Sequence, residues 1–540
     1  MAQTYTSVNS GNWNNPGTWD QNAVPVAGAN VIISAGHTVT LNTSTPPLAS
    51  VTVNSGGTLQ YPGGVTARVL TARTVTVNSG GTMTRPGTGT ATHQLVLEPL
   101  SSDPPGQPTT LLNNGTIDFF VSGRSVDIVF TRDTYGPQSL EGTGTFNLAG
   151  VAMENTAGVT LPTNFIDAAE VDATQKIGQA GGSPITMQSL YINNEVAQVR
   201  GTTFTPPTRY REDNPTEVLV SLTIAQALTL ERGILILNRN NGSSLTHTVG
   251  SIEIGSSSSI AETYTAGNEI GARHNTGIAL VSAYNATTTL TVTGDVSAPN
   301  LTHANEGVVI ALVSPASGTG TDDASTSGAT LTVNGNFNFS GARLGLVGNG
   351  TRFSLLAGDI GPGQGGAANG LMEFNFRGNF SLKNGSRYNG RRGGTGSVPT
   401  IRFNGTSPQT FSAPPDVWYG FETNAVTNWI IEAGSEVTMT GTSGIAIHGG
   451  FGLTINGTLI AQDGAELIST FTGGGSGKTL LIMGSNGIIR VADPQGLGNG
   501  NVPTPSPEPL FIERQSSNSP QPEGWNLTSI NTNGTIDYNG

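Results

Sequence analysis

Apolar and polar residues alternate with period two through much of this chain, and one such stretch is written twice. Residues 50–63, SVTVNSGGTLQYPG, return at 74–87 as TVTVNSGGTMTRPG, a shift of 24 residues with ten of fourteen positions identical. Val51 and Val53 flank Thr52, and Val75 and Val77 flank Thr76. β-Branched residues in strict alternation read as strand. Asn54-Ser55-Gly56-Gly57 supplies a corner, because Asn and Gly tolerate positive φ, and Thr58-Leu59 opens a second short strand. The pattern places Val51, Val53 and Leu59 in one apolar column, with Val75, Val77 and Met83 one layer along. No helical periodicity lies between the copies. A repeat this short predicts stacked supersecondary units, each copy being one coil that rises about 4.8 Å. The expected fold is all-β: a right-handed parallel β-helix (β-solenoid) with an N-terminal cap and loop insertions, the hand following the preference of parallel crossovers.

The expected organisation has four parts. Residues 1–49 are a cap with the first coils, where Val31-Ile32-Ile33 and Thr38-Val39-Thr40-Leu41 are strands around a Gly36-His37 turn. An open first coil would offer its edge to other chains, and Trp13, Pro16 and Trp19 are placed to plug it; the other reading of the two tryptophans is sugar stacking. Residues 50–150 are regular coils, continued by LLNNGTIDFF (111–120) and GTGTFNLAG (142–150), with Pro104-Pro105-Gly106 as an excursion. Residues 151–289 are further solenoid, interrupted at 195–217 by a polar, charged stretch that reads as a protruding loop. Residues 290–540 resume the beat with Gly-rich insertions at 315–329 and 358–370. There LTVTGDV (290–296), LTVNGNF (331–337), FNFRGNF (374–380) and LTINGTL (453–459) share a frame. It turns Leu290, Val292, Val296, Leu331, Val333, Phe337, Phe374, Phe376, Phe380, Leu453, Ile455 and Leu459 inward. The first steps of 41 and 43 residues fit either one coil with a large insertion or two coils per period. The closing NTNGTIDYNG (531–540) reads as the start of another unit, so the solenoid is expected to run on past it.

Composition narrows the function classes. Gly 75 and Pro 30 are high, yet apolar residues reach 35% in strand-sized runs, which argues against general disorder. Charged residues make up only 11%, leaving Thr, Ser, Asn and Gly to cover the surface. A net charge of −13 argues against nucleic acid, which needs a basic face. With Cys 0, disulfides and thiolate metal sites are ruled out. No apolar run reaches membrane-spanning length, so no membrane insertion is expected. Met-Ala-Gln-Thr-Tyr-Thr at the start lacks the basic and apolar regions of a signal peptide; either none was used or one was removed.

Two resemblances stand beside this reading. Gly11, Trp13, Pro16, Thr18, Trp19, Val24, Pro25, Gly28, Val31, Ile33, Gly36, His37, Val39 and Leu41 resemble the opening of the eight-glycine domain, found in large bacterial surface proteins and in animal hyaluronan-handling surface proteins. A usual acidic residue is here Ala29, which leaves any ligand role of that position without its side chain. The resemblance implies an extracellular β-solenoid start over roughly the first 150 residues, without a reaction. AGVTLP (157–162), SLYINN (189–194), LTIAQALTLERGILIL (222–237) and IRFNGTSPQTF (401–411) resemble the solenoid passages of very long secreted proteins of the Bacteroidetes type.

Candidate chemistry is sparse. His37, His93, His247, His274, His303 and His448 are scattered, without metal-ligand spacing. GPGQGG (361–366) matches a dinucleotide glycine pattern by letter, but no helix follows. Asp322 and Asp323 in a Gly/Thr/Ser loop are the calcium candidates; no other cofactor is indicated. Asp118, Asp127 and Asp133 are the nearest to a paired carboxylate site of the polysaccharide-cutting kind, which needs two carboxyls about 5–10 Å apart; the plainer reading is solvated strand-end charges. Trp418, Tyr419 and Trp429 are the candidates for glycan or protein binding, with core or cap positions as the alternative. An outward Thr52–Thr76 ladder raises ice or crystal binding, against which the irregular insertions argue.

Three functions remain from the sequence. The first is a structural or adhesive segment of a large bacterial surface protein, extracellular, meeting glycan or protein partners, with self-association open. The second is a phage tail fibre or tailspike on the virion, which predicts a trimer. The third is a polysaccharide-degrading β-helix enzyme.

Overall fold

The computed structural model describes residues 2–104, 106–131, 136–155, 174–194, 216–238, 242–255, 276–283, 285–298, 307–313, 327–340, 343–347, 371–383, 387–388, 399–413, 428–440, 443–447, 452–462, 465–469, 479–491, 525–526 and 534–538. Among these residues the regular structure is nearly all β-strand, with one 3-10 turn at Pro16–Thr18 and no α-helix. Strands pair in parallel from coil to coil, the β-solenoid arrangement that the alternation predicts. The chain divides into two compact units, Met1–Asn241 with Thr246–Val249, and Gly242–Leu245 with Gly250–Gly540.

In the first unit each coil contributes to parallel sheets whose inward residues stack in register. One column runs Tyr5, Val31, Val51, Val75, Leu111, Leu140, Ile177, Val218, Leu237. A second runs Val39, Leu59, Met83, Ile117, Phe146, Ile185, Leu222. A third runs Leu70, Leu95, Ile128, Val151, Leu190, Leu228. All are buried, and at about 1.5–3 kcal/mol for each fully buried aliphatic side chain these columns are the main stabilising term. The 24-residue repeat is one coil, because Val51 lies beside Val75 and Leu59 beside Met83.

The repeated Asn-Ser-Gly-Gly corner has a steric origin. Gly56 and Gly80 sit at φ 75° and 80°. A Cβ on Gly57 would lie 2.9 Å from Ser34 O, and one on Gly81 2.8 Å from Val53 O. The coil below therefore leaves no room for a side chain. Asn78 Nδ2 donates to Asn54 Oδ1 at 3.0 Å, tying the same corner on consecutive coils.

Three buried polar side chains of this unit form one chain of hydrogen bonds. Thr216 Oγ1 donates to Gln175 Oε1 at 2.5 Å, Gln175 Nε2 to Gln138 Oε1 at 2.9 Å, and Gln138 Nε2 to Glu154 O at 2.6 Å. Enclosed amides left unpaired would cost about 1–3 kcal/mol each.

In the second unit Leu290, Leu331, Phe374, Ile401, Trp429, Leu453 and Leu481 form one column. Beside it stand Val292, Val333, Phe376, Phe403, Ile431, Ile455 and Met483. The steps of 41 and 43 residues are single coils with insertions, since Leu290 pairs directly with Leu331 and Leu331 with Phe374. The adjoining sheet carries Val296, Phe337, Phe380, Phe411, Met439 and Ala461. Here the shared frame misplaces one residue: Leu459 is buried but stacks on Val437, and Ala461 takes the position that spacing assigns to it. Corners of different length between the two sheets shift the register by two residues.

Candidate functional site

At the N-terminus the first strand, Thr4–Thr6, pairs with Asn30–Ile33 on one side. Its other edge is sealed by residues 18–20 running antiparallel. Asp20 N donates to Thr6 O at 2.9 Å, Thr6 N to Asp20 Oδ1 at 2.9 Å, and Val8 N to Thr18 O at 2.9 Å. Trp13 and Trp19 beneath are 0% and 1% exposed, with rings edge-to-face at 5.0 Å. Neither ring presents a face on which a sugar could stack. Ser7 Oγ lies 2.9 Å from His37 Nδ1, a Ser–His pair that sequence separation hid. Ser7 is buried and its oxygen also accepts Ser34 N–H at 2.8 Å, while Ser34 Oγ donates to Ser7 O at 2.9 Å. With its hydroxyl spent and no access for substrate, the pair pins the first coil to the second.

Asp118 and Asp127 face outward on different sheets of the first unit, on either side of the bend in Thr145–Asn155. Asp118 pairs with the Arg85 guanidinium and accepts Asn147 Nδ2–H at 2.7 Å. Asp127 accepts Gly150 N–H at 3.1 Å. Burial pushes the Asp127 carboxyl above the usual carboxylate range, and the Gly150 bond opposes that. Each carboxylate thus serves its own strand-to-strand contact. Asp133 lies outside the described residues, as do Trp418, Tyr419, Asp322, Asp323 and most of the 195–217 insertion. Among the described residues no group of three or more His, Cys, Asp or Glu is placed to hold a metal ion.

Trp429 requires a correction. It is 1% exposed, stacks on Phe403 at 6.1 Å and meets Phe411 edge-on at 6.0 Å. An enclosed indole cannot receive a ligand, so Trp429 is core rather than binding surface. The signal lay in Trp429-Ile430-Ile431, where alternate apolar positions precede the Glu432-Ala433-Gly434-Ser435 corner.

The Thr52–Thr76 ladder continues into Leu112 and Glu141, so it ends after two rungs. The longer hydroxyl column lies on the neighbouring sheet, through Thr38, Thr58, Thr82, Thr116 and Thr145. In the second unit Arg402 bridges Glu373 at 2.7 Å and also Glu432.

Residues 18–97 match the G8 domain. This is the eight-glycine resemblance, over a narrower span than the first 150 residues. The G8 span begins at the edge-sealing segment and ends with Leu97, the last residue of the strand Thr92–Leu97. It contains both copies of the repeat and the Ser34 and His37 side of the pin. Trp13 precedes it. No curated protein and no solved structure matches the chain. No helix of the described residues is long and apolar enough to cross a membrane.

Proposed function

We propose that this chain is a structural, adhesive segment of a large bacterial extracellular surface protein, whose stacked coils hold out corner loops for contact with glycan or protein at a surface. The observation that carries this reading is how outward charge is used: Asp118, Arg85, Glu373, Arg402 and Glu432 are engaged from coil to coil. Such a scaffold is built to be stiff and to leave recognition to loops. G8 domains occur in extracellular proteins, which supports the location. The binding candidates kept in this proposal are Trp418, Tyr419 and the 195–217 insertion.

The test is retention of the labelled chain on a panel of insoluble polysaccharides and intact bacterial and animal cells. Retention that falls at least tenfold in Trp418→Ala/Tyr419→Ala or on deletion of 195–217 supports the proposal. Absence of retention on every surface, or release of soluble sugars from the panel, overturns it. Sedimentation as a trimer would instead favour the tail-fibre reading.

A further inference from the structure

His93 lies in the strand Thr92–Leu97 with its side chain turned inward and 0% exposed. Its Nδ1 accepts Arg68 N–H at 3.0 Å. That bond requires the neutral tautomer with its proton on Nε2, and Nε2 has no hydrogen-bond partner. Tyr61 packs against the ring at 5.2 Å, its hydroxyl donating to Gln94 O at 3.0 Å. The Arg68 guanidinium is occupied elsewhere, Nε donating to Asn42 O at 2.9 Å and Nη1 to Ala67 O at 3.2 Å. From the next coil Val126 lies in register with His93, and Phe119 packs on Tyr61 at 5.9 Å. Asp127, which follows Val126, faces outward and takes the Gly150 N–H. The titratable and charged groups described around the imidazole are thus Tyr61 and Arg68, with no carboxylate facing it.

The geometry points to an acid-operated latch: protonation of His93 breaks its bond to Arg68 N–H and loosens the loop residues 65–67 that this bond closes. An imidazolium carries N–H on both nitrogens, so its Nδ1–H would confront Arg68 N–H donor to donor. The charged ring finds water only if the segment over it moves. The segment's other anchors lie at its two ends: Thr90 N and Ala91 N hold Gly64 O at 3.0 and 3.2 Å, while Arg68 O accepts Gln94 N–H at 3.0 Å, Arg68 Nε holds Asn42 O at 2.9 Å and Ser44 Oγ accepts Val69 N–H at 3.1 Å. Between these points Val65 is 84% exposed. Burial holds the His93 pKa below the ordinary histidine range; the Pro62 backbone opposes this, and the charge of Arg68 adds to it.

The open form therefore binds the proton more tightly than the closed one. The bond to Arg68 is secure above the ordinary histidine pKa of about 6.5, and opening gains about tenfold per pH unit below it until the closed form also protonates.

Hydrogen–deuterium exchange of the full chain in heavy water, corrected for intrinsic rates, tests this between pH 7 and 5. In the wild type the opening constant for peptides spanning 62–72 should rise as pH falls below about 6.5, by at most about tenfold per pH unit and levelling off once the closed form protonates, with peptides spanning 109–113 unchanged. In His93→Gln, whose uncharged amide can still accept from Arg68, the 62–72 response should be flat; His93→Asn repeats the comparison if the Gln variant misfolds by near-ultraviolet circular dichroism. A flat wild type, an equal response in the variants, or simultaneous loss in both regions overturns the latch.

Discussion

Trp19 donates its indole Nε1–H to the carbonyl of Trp13 at 2.9 Å while the two rings meet edge-to-face. The bond locks the segment that seals the outer edge of Thr4–Thr6. Trp19→Ala should cost about 3–5 kcal/mol, the range for emptying a buried tryptophan site. Trp19→Phe keeps most of the packing and should cost less, about 1–2 kcal/mol for the lost bond and the orphaned carbonyl. Urea unfolding measures both. An unsealed strand edge pairs with other chains, so Trp19→Ala should also elute as larger species in size-exclusion chromatography, and Trp19→Phe should not.

The Gly-Gly corner makes a sharper comparison, because two glycines close in sequence differ in their surroundings. A methyl on Gly81 would meet Val53 O at 2.8 Å, Asn54 O at 3.0 Å and Asn78 O at 3.0 Å, whereas one on Gly87 meets nothing within 4 Å. Backbone oxygens cannot swing aside as a flexible side chain does. Gly81→Ala should destabilise by about 1–3 kcal/mol, as overpacking does, and Gly87→Ala should stay within about 0.5 kcal/mol of wild type. Denaturant midpoints at constant slope would show the difference.

The same contrast marks what the sequence could disclose. Val51, Val53 and Leu59 over Val75, Val77 and Met83 were legible because a solenoid stacks equivalent residues, so a repeat in sequence is a contact in space. The column from Leu290 through Leu331 to Phe374 was legible for the same reason. Between Phe374 and Leu453, however, Ile401 and Trp429 complete the column on strands TIRF and NWII, which match the repeat in register only at Phe403 and Ile431. The core there asks only for bulk on one side, and a tryptophan answers as well as a leucine. Pairings across coils, such as Ser7 with His37 or Arg68 with His93, depend on where each corner lets the chain re-enter its sheet. Corner lengths vary, so no fixed spacing announces them.

Trp429 carries a prediction of its own. It packs with Phe403, Phe411 and Phe380, and Phe337, Phe380 and Phe411 stack face to face at 5.2 and 5.3 Å. Aromatic pairs add about 0.5–1.5 kcal/mol beyond area burial. Trp429→Ala should destabilise the second unit by about 3–5 kcal/mol, while Trp429→Phe should recover most of that. With the other tryptophans replaced by Phe, the emission of Trp429 should be blue-shifted and resist quenching by iodide until unfolding. Ready quenching in the native chain would place the indole at the surface and contradict its assignment to the core.

His247 gives the first unit an acid limit separate from the His93 loop. It is 1% exposed, both ring nitrogens lack hydrogen-bond partners, and burial lowers its pKa to about 4. In the unfolded chain the same imidazole takes up its proton near pH 6.5. The unfolded state therefore binds more protons as pH falls through the interval between these values. Stability due to the neutral buried ring is intact above about pH 6.5 and declines by about 1.4 kcal/mol per pH unit toward pH 4. Between pH 7 and 5 wild type should lose about 2 kcal/mol relative to His247→Leu in urea unfolding of the first unit. The leucine variant should also be the more stable at pH 7, because it removes two enclosed polar atoms that gain nothing in return. Parallel pH profiles for the two proteins would mean that His247 is solvated in the folded chain.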